Sequence, residues 1–502
     1  MNTFTNAINN KLTLKETENG AVARNTTNSA LYDLFALGGA YRNRSAEEQT
    51  RLFLKAFEES PIYAMKCLFY LRDCRGGQGE RQFFRNCYAW VSRISPFLGE
   101  RFLPFIPFYG RWDDLIYLLD VDIPQQVKHE VVSIILTQLN EDFESDEPSL
   151  LAKWMPSENA SSSKTKAAAR RMRKLLGITA ADYRKTLSYI RKKLNLVESQ
   201  MSQNRWDLIQ FDKLPSVAGL RYSGAFLRNE ITSERYKEFL NQEKPKVNAS
   251  VLYPSNLVHK ALRSSCMADD KAIDVYWDNL PDYFHGHEAS LMCVCDTSGS
   301  MTWSSIGAMP IETAIALSIY AAQRNQGDFH NYFITFSTHP AFVKVDDRFG
   351  FAYAARQIYD NSINDSTNLN AVFDLLYTGV MNGTFKAKDL PKTLVVISDM
   401  EIDKATARYY GLDNEVVCWT KENSQTQMEL LREKWEKAGL ELPKLVYWNV
   451  EARNDTILDI GPDVSLVSGS SPVLFESICS GKTGYDLMMD KLNSERYGVI
   501  DW

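Results

Sequence analysis

From about residue 28 to 260, apolar residues recur at helical spacing. Residues 48–58, 61–72 and 82–92 carry apolar clusters three and four positions apart. After Pro124, which suits a helix's first turn, Val127, Val131, Ile135 and Leu139 follow one another at i+4, with Val132 and Leu136 beside them. Loops such as Arg75-Gly-Gly-Gln-Gly79 separate these segments. Helices in succession with no strand signal predict an all-α, HEAT-like helical repeat of stacked helix pairs. No exact internal repeat is visible, so the stacking is expected to be irregular. Past about residue 288 the period changes. Strand-like runs occur at 290–295, 330–336, 340–344, 393–398, 414–419 and 444–449, with helical patterns at 310–324, 368–379, 424–438 and 484–493. Strands alternating with helices predict an α/β domain with a doubly wound, mostly parallel sheet covered on both faces. The boundary falls in 268–288, which includes Pro281 and Gly286. The chain thus divides into an N-terminal extension (1–27), a helical-repeat domain (28–280), and an α/β domain with a C-terminal extension (288–502).

Composition narrows the compartment and the partners. The chain has 502 residues, 44% hydrophobic and 24% charged, as in ordinary globular proteins. Its net charge of −6 excludes a general polycation, so any nucleic-acid surface has to be a local patch. Met1 to Lys11 lack the basic and apolar regions of a signal peptide, and no apolar stretch is long enough to cross a bilayer. Eight cysteines without C-x-x-C spacing indicate free thiols in a reducing compartment. Cys67, Cys74 and Cys87 read as helix-core residues. A cytoplasmic protein is expected, monomeric on its own and with no membrane partner.

One such local patch exists. Glu141 to Glu147 is acidic and Ser157 to Ser163 is Ser-rich, and then the charge reverses. Lys164, Lys166, Arg170, Arg171, Arg173, Lys174, Arg184, Lys185, Arg191, Lys192 and Lys193 are opposed only by Asp182. Such a cluster can track phosphates, with Tyr183, Tyr189 and Trp206 available to stack on unpaired bases. The same charge also suits a solvated helix face.

The run Ser290-Leu-Met-Cys-Val-Cys295 ends in Asp296-Thr-Ser298-Gly-Ser300, which offers one carboxylate and two hydroxyls at alternate positions. A second apolar run, Thr393-Leu-Val-Val-Ile-Ser398, ends in Asp399, and Thr367 lies near the start of an intervening helix. In an open α/β sheet, ligands bind at the carboxyl ends of strands. Asp296, Ser298, Ser300, Thr367 and Asp399 therefore form a candidate site for a hard divalent cation such as Mg²⁺, which prefers oxygen ligands. Two carboxylates neutralise the ion, and the hydroxyls complete its shell. A Ser-rich N-cap is the plainer reading of D-x-S-x-S taken alone.

These five positions resemble the metal-ion-dependent adhesion site (MIDAS) of von Willebrand factor A domains. Tyr70-Leu-Arg-Asp-Cys-Arg-Gly-Gly-Gln-Gly-Glu-Arg81 and Tyr109-Gly-Arg-Trp-Asp-Asp114 resemble segments of the TROVE module. A helical module followed by an A domain is similar to the layout of the Ro autoantigen ribonucleoproteins. Ser149-Leu-Leu-Ala-Lys-Trp-Met-Pro-Ser157 and the stretch from Leu492 to Asp501 resemble a bacterial and phage family of uncharacterised proteins with that layout. The resemblance implies a helical ring that binds small non-coding or single-stranded RNA. It also implies an A domain that holds Mg²⁺ and meets an acidic group at the open coordination position.

The remaining motifs are weaker. Arg75 to Arg81 lacks the Lys-Ser/Thr of a phosphate-binding P-loop and reads as a tight helix–helix turn. His285 and His287 read as linker histidines, and Glu401 and Asp403 as surface residues opening the next loop. No catalytic Ser/His/Asp or Cys/His arrangement is visible. The expectation is a non-enzymatic, Ro-like RNA-binding protein. The alternatives are a protein-interaction scaffold docking an acidic partner group through the metal and, more remotely, an ATP-linked assembly factor served by a separate motor.

Overall fold

Strands form where the apolar runs fall. In the computed structural model, which describes residues 13–264, 266–304, 308–336, 339–346, 348–362, 368–402, 409–410, 416–417 and 427–501, ten strands are present: β1 (Leu14–Glu16), β2 (Val22–Arg24), β3 (Leu291–Asp296), β4 (Tyr332–Phe336), β5 (Phe342–Lys344), β6 (Thr393–Ser398), β7 (Tyr409–Tyr410), β8 (Val416–Val417), β9 (Lys444–Asn449) and β10 (Val464–Ser468). Six of them make one sheet in the order β10-β9-β6-β3-β4-β5. All its pairings are parallel except β4 with β5 at one edge. β3 and β10 are buried along their whole length, the mark of a sheet covered on both faces. The expected strand at 414–419 lies outside the described residues except for Val416–Val417 within β8. β10 was not expected, because Val464-Ser-Leu-Val-Ser468 is short and half polar.

The chain forms two compact units, residues 1–67 with 249–502, and residues 68–248. In the first, the helix Pro310–Arg324 packs on β3 and β6. The helix Ala30–Gly38 packs on β10 and buries nearly all of its residues. The Tyr32 hydroxyl accepts from Leu466 N at 2.9 Å, and Ser468 Oγ donates to Phe35 O at 3.1 Å, so a helix covers the open edge of the sheet. A side chain at Gly39 would stand 2.7 Å from Ser468 O, so only glycine permits this approach. The helices Pro254–Ala261 and Met267–Asp278 pack around Phe351–Asp360, and the first also meets Pro310–Arg324. The sequence segmentation placed residues 28–60 and 254–278 with the helical repeat. Their apolar faces are instead covered by elements of the α/β unit.

The second unit is helical throughout its described secondary structure. Val127, Val131, Ile135 and Leu139 form the buried stripe of Gln125–Glu144. Phe69, Phe84, Tyr88, Phe102 and Tyr109 form an aromatic cluster with Phe69 at its centre, ring centroids 5.2–6.2 Å apart. Beside it, Arg72 and Asp114 are buried and paired, with Arg72 Nη2 donating to Asp114 Oδ2 at 2.6 Å. Arg85 Nε also donates to Asp114, at 2.8 Å. In the Arg75–Gly79 loop, Arg75 N donates to Asp73 Oδ1, Gln78 N to Tyr70 O and Gly79 N to Asp73 O. These amides are already engaged within the turn, as a tight helix–helix connection requires.

Candidate functional site

β3 and β6 are hydrogen-bonded neighbours in parallel register, Cys295 facing Ile397, so Asp296 and the Ser398-Asp399 pair emerge at the same edge of the sheet. Asp296 is fully buried and Asp399 is 1% exposed. Asp296 Oδ1 accepts from Ser298 N at 2.9 Å, which folds the loop back over the strand end, and its Oδ2 accepts from Ser398 Oγ at 2.5 Å. The loop then turns through Gly299–Thr302 and brings Ser298 Oγ within 3.0 Å of Ser300 Oγ. Ser300 also hydrogen-bonds Asp399. Four of the five expected positions thus meet at one point. Thr367 lies outside the described residues, and the helix that follows it, Leu369–Met381, is capped by the Asn368 side chain accepting from Ala371 N.

Burial pushes the Asp296 carboxyl up to about 7, helped by the like charge of Asp399. Asp399 is also raised, mainly by burial, and is partly restrained by Arg453. Arg453 Nη2 donates to Asp399 Oδ2 at 2.6 Å, and its Nη1 lies 3.2 Å from Glu18 Oε2. Two buried carboxylates with paired hydroxyls, opening to solvent at Gly299 and Ser300, are a hard-oxygen donor set suited to a small divalent cation. Among the described residues no group of three His, Cys, Asp or Glu could hold a metal, so any cation here depends on the hydroxyls. Arg453 was missed in the sequence. It follows the carboxyl end of β9, and that strand-end position was the signal that could have found it.

Glu401 corrects an expectation. It is completely buried rather than on the surface, accepting from Glu18 N and from Thr456 Oγ1, each at 2.7 Å. The hairpin of β1 and β2 brings Glu18 over this loop. Asp403 lies outside the described residues. His285 faces Glu476 at 3.5 Å on the surface.

The basic segment divides in two. Arg171 pairs with Asp120, and Arg173 and Arg184 both pair with Glu158, at 3.1 and 3.0 Å. Arg191 donates to the carbonyls of Ala152 and Met155, at 2.8 and 2.6 Å. Lys193 donates to the carbonyls of Phe143 and Ser145, at 2.8 and 2.9 Å. These five cations hold helix ends and neighbouring loops. Lys164, Arg170, Lys174, Lys185 and Lys192 are exposed, Lys166 is half-buried, and none of the six pairs with a described residue. Tyr183 is not available for stacking, being buried with its hydroxyl donating to Pro156 O at 2.7 Å. Tyr189 is 45% exposed, with Lys193 Nζ over its ring at 4.6 Å. Trp206 is half-buried.

No described helix is long and apolar enough to cross a membrane. Residues 290–493 match a domain of unknown function, DUF7788. Residues 17–97 and 149–280 match another, DUF2828. The chain is 29% identical over 518 aligned positions to "Uncharacterized protein L728" of Acanthamoeba polyphaga mimivirus, an alignment covering 93% of this chain and 85% of that protein.

Proposed function

We propose that this chain is a non-enzymatic, cytoplasmic RNA-binding protein of Ro-like layout, with a TROVE-like helical repeat and a von Willebrand factor A-like domain that holds Mg²⁺. The observation that supports the reading best is the convergence of Asp296, Ser298, Ser300 and Asp399 at the carboxyl ends of two adjacent parallel strands. Mg²⁺ there would supply positive charge to two buried carboxylates and an attachment point for an anionic group. Thr367 completes the proposed ligand set. RNA contact is assigned to the cations that make no pair with a described residue, Lys164, Lys166, Arg170, Lys174, Lys185 and Lys192.

The test is to purify the native protein and sequence any RNA that copurifies, alongside a Lys164→Glu/Arg170→Glu/Lys174→Glu variant. The reading expects nuclease-sensitive RNA with the wild type and much less with the variant. Wild-type protein free of RNA, and unable to retain added RNA on a filter, overturns it. A second reading, a scaffold docking an acidic protein group through the metal, draws on the five basic residues already engaged within the helical unit. It expects a carboxylate-bearing partner to be captured with Mg²⁺ and released by a chelator.

A further inference from the structure

Within the helical unit, a cavity of about 470 Å³ lies between the helices Ala180–Lys193 and Val197–Ser202 and the turn at Ser157–Asn159. Its size falls in the range of small-ligand sites. Two asparagines in the left-handed region build it. Asn195, φ 46°, ends the first helix, and Asn204, φ 57°, ends the second, with Arg205 N donating to Gln200 O at 2.9 Å. Asparagine tolerates this conformation at helix ends. The two turns bring Gln203 and Arg205 to the space lined by Arg184, Ser188 and Lys192, which are four residues apart on one helix face. Tyr183 and Leu187 supply an apolar floor.

The charge in this cavity is unbalanced. Arg184, Arg191, Lys192 and Arg205 line it, against the single carboxylate of Glu158, which Arg173 and Arg184 already meet. Arg191 is fixed by two backbone carbonyls. The side chains of Lys192 and Arg205 make no hydrogen bond or ion pair with any described residue, and neither do those of Ser188 and Gln203. Unpaired cations beside unpaired neutral donors and acceptors, over an apolar floor, suit a phosphate joined to a sugar and base.

We propose that this cavity binds a nucleoside phosphate, either as one unit of single-stranded RNA or as a free mononucleotide, with Lys192 and Arg205 meeting the phosphate. The RNA arm rests on the reading above, and the mononucleotide arm does not. The probes are AMP, by calorimetry, and a fluorescent single-stranded RNA decamer, by anisotropy, each with the full-length protein. Lys192→Glu/Arg205→Glu is compared with Lys164→Glu/Lys174→Glu, which lies outside the cavity. All four side chains are exposed and without described partners, so unchanged circular dichroism and melting are expected.

The cavity variant is expected to lose at least about tenfold in affinity for whichever probe the wild type binds, and to lower the salt slope for RNA by about 0.7 per phosphate contact removed. Wild type binding AMP but not RNA, with loss in the cavity variant, supports the site and removes the RNA reading. RNA affinity that falls only in the Lys164→Glu/Lys174→Glu variant overturns the cavity and leaves the RNA reading intact. A wild type that binds neither probe overturns both.

Discussion

Replacing Asp296 by Asn tests the proposed cation site through the energetics of a buried acid. The side chain is fully buried, and burial plus the charge of Asp399 raise its carboxyl from 3.8 to about 7. A folded-state value above the unfolded one means that the native state holds the proton over a wider pH range. The associated stability is fully present below about pH 4 and is lost as pH rises through about 7. A shift of this size corresponds to as much as about 4 kcal/mol for the metal-free protein. Mg²⁺ bound at the proposed site would act in the opposite sense, supplying the positive charge that the departing proton removes. At a concentration 100 times its Kd it adds about 2.7 kcal/mol, a shift of several degrees in Tm. Asn imitates the protonated acid, keeping an acceptor for Ser298 N and placing an amide beside Ser398 Oγ. Melting followed by tryptophan fluorescence, with chelator and with millimolar Mg²⁺, reads each effect. In chelator above neutral pH, Asp296→Asn should melt higher than wild type and show a flatter pH profile. Mg²⁺ should raise the wild type and leave the variant unmoved. A variant that keeps the Mg²⁺ shift, or a wild type insensitive to both pH and Mg²⁺, refutes the reasoning.

Three further outcomes are expected. Arg453→Met leaves Asp399 without its guanidinium partner at 2.6 Å and should cost about 1–3 kcal/mol in chelator, with a larger Mg²⁺ response than wild type. An equal response would argue against any interplay between Arg453 and the cation. Asp114→Ala removes the carboxylate that the buried Arg72 shares with Arg85, Arg85 keeping Asp113 at 2.8 Å, and should destabilise the helical unit by about 3–5 kcal/mol, measured as a lower urea midpoint. Asp274, raised to about 6 mainly by burial while it accepts from Ala352 N at 2.8 Å, contributes stability that is lost as pH rises from about 4 through 6. Asp274→Asn should flatten that window in a pH series of melts.

Much of the proposed cation site was legible because its parts are local. An apolar run ending in Asp296-Thr-Ser298-Gly-Ser300 specifies both the strand and the chemistry at its end, and Ser398-Asp399 repeats the signal. What surrounds the site was not legible. Arg453 and Glu18 reach it from opposite ends of the chain, and Glu401 looked like a loop residue until the β1–β2 hairpin covered it. The basic segment was legible in charge but not in contacts. Composition counted its cations correctly, but Arg191 and Lys193 are committed to carbonyls 36 to 50 residues away.

The sequence by itself determined the period of each segment, helical before about 260 and alternating strand and helix after 288, and the oxygen-rich chemistry at two strand ends. Those properties follow from neighbours along the chain. Tertiary structure alone decided where each apolar face is buried. Ala30–Gly38 is apolar almost throughout, which requires burial but names no partner, and it closes the β10 edge. It likewise decided which charges are free, since a side chain's partner is set by what folding brings within hydrogen-bonding distance.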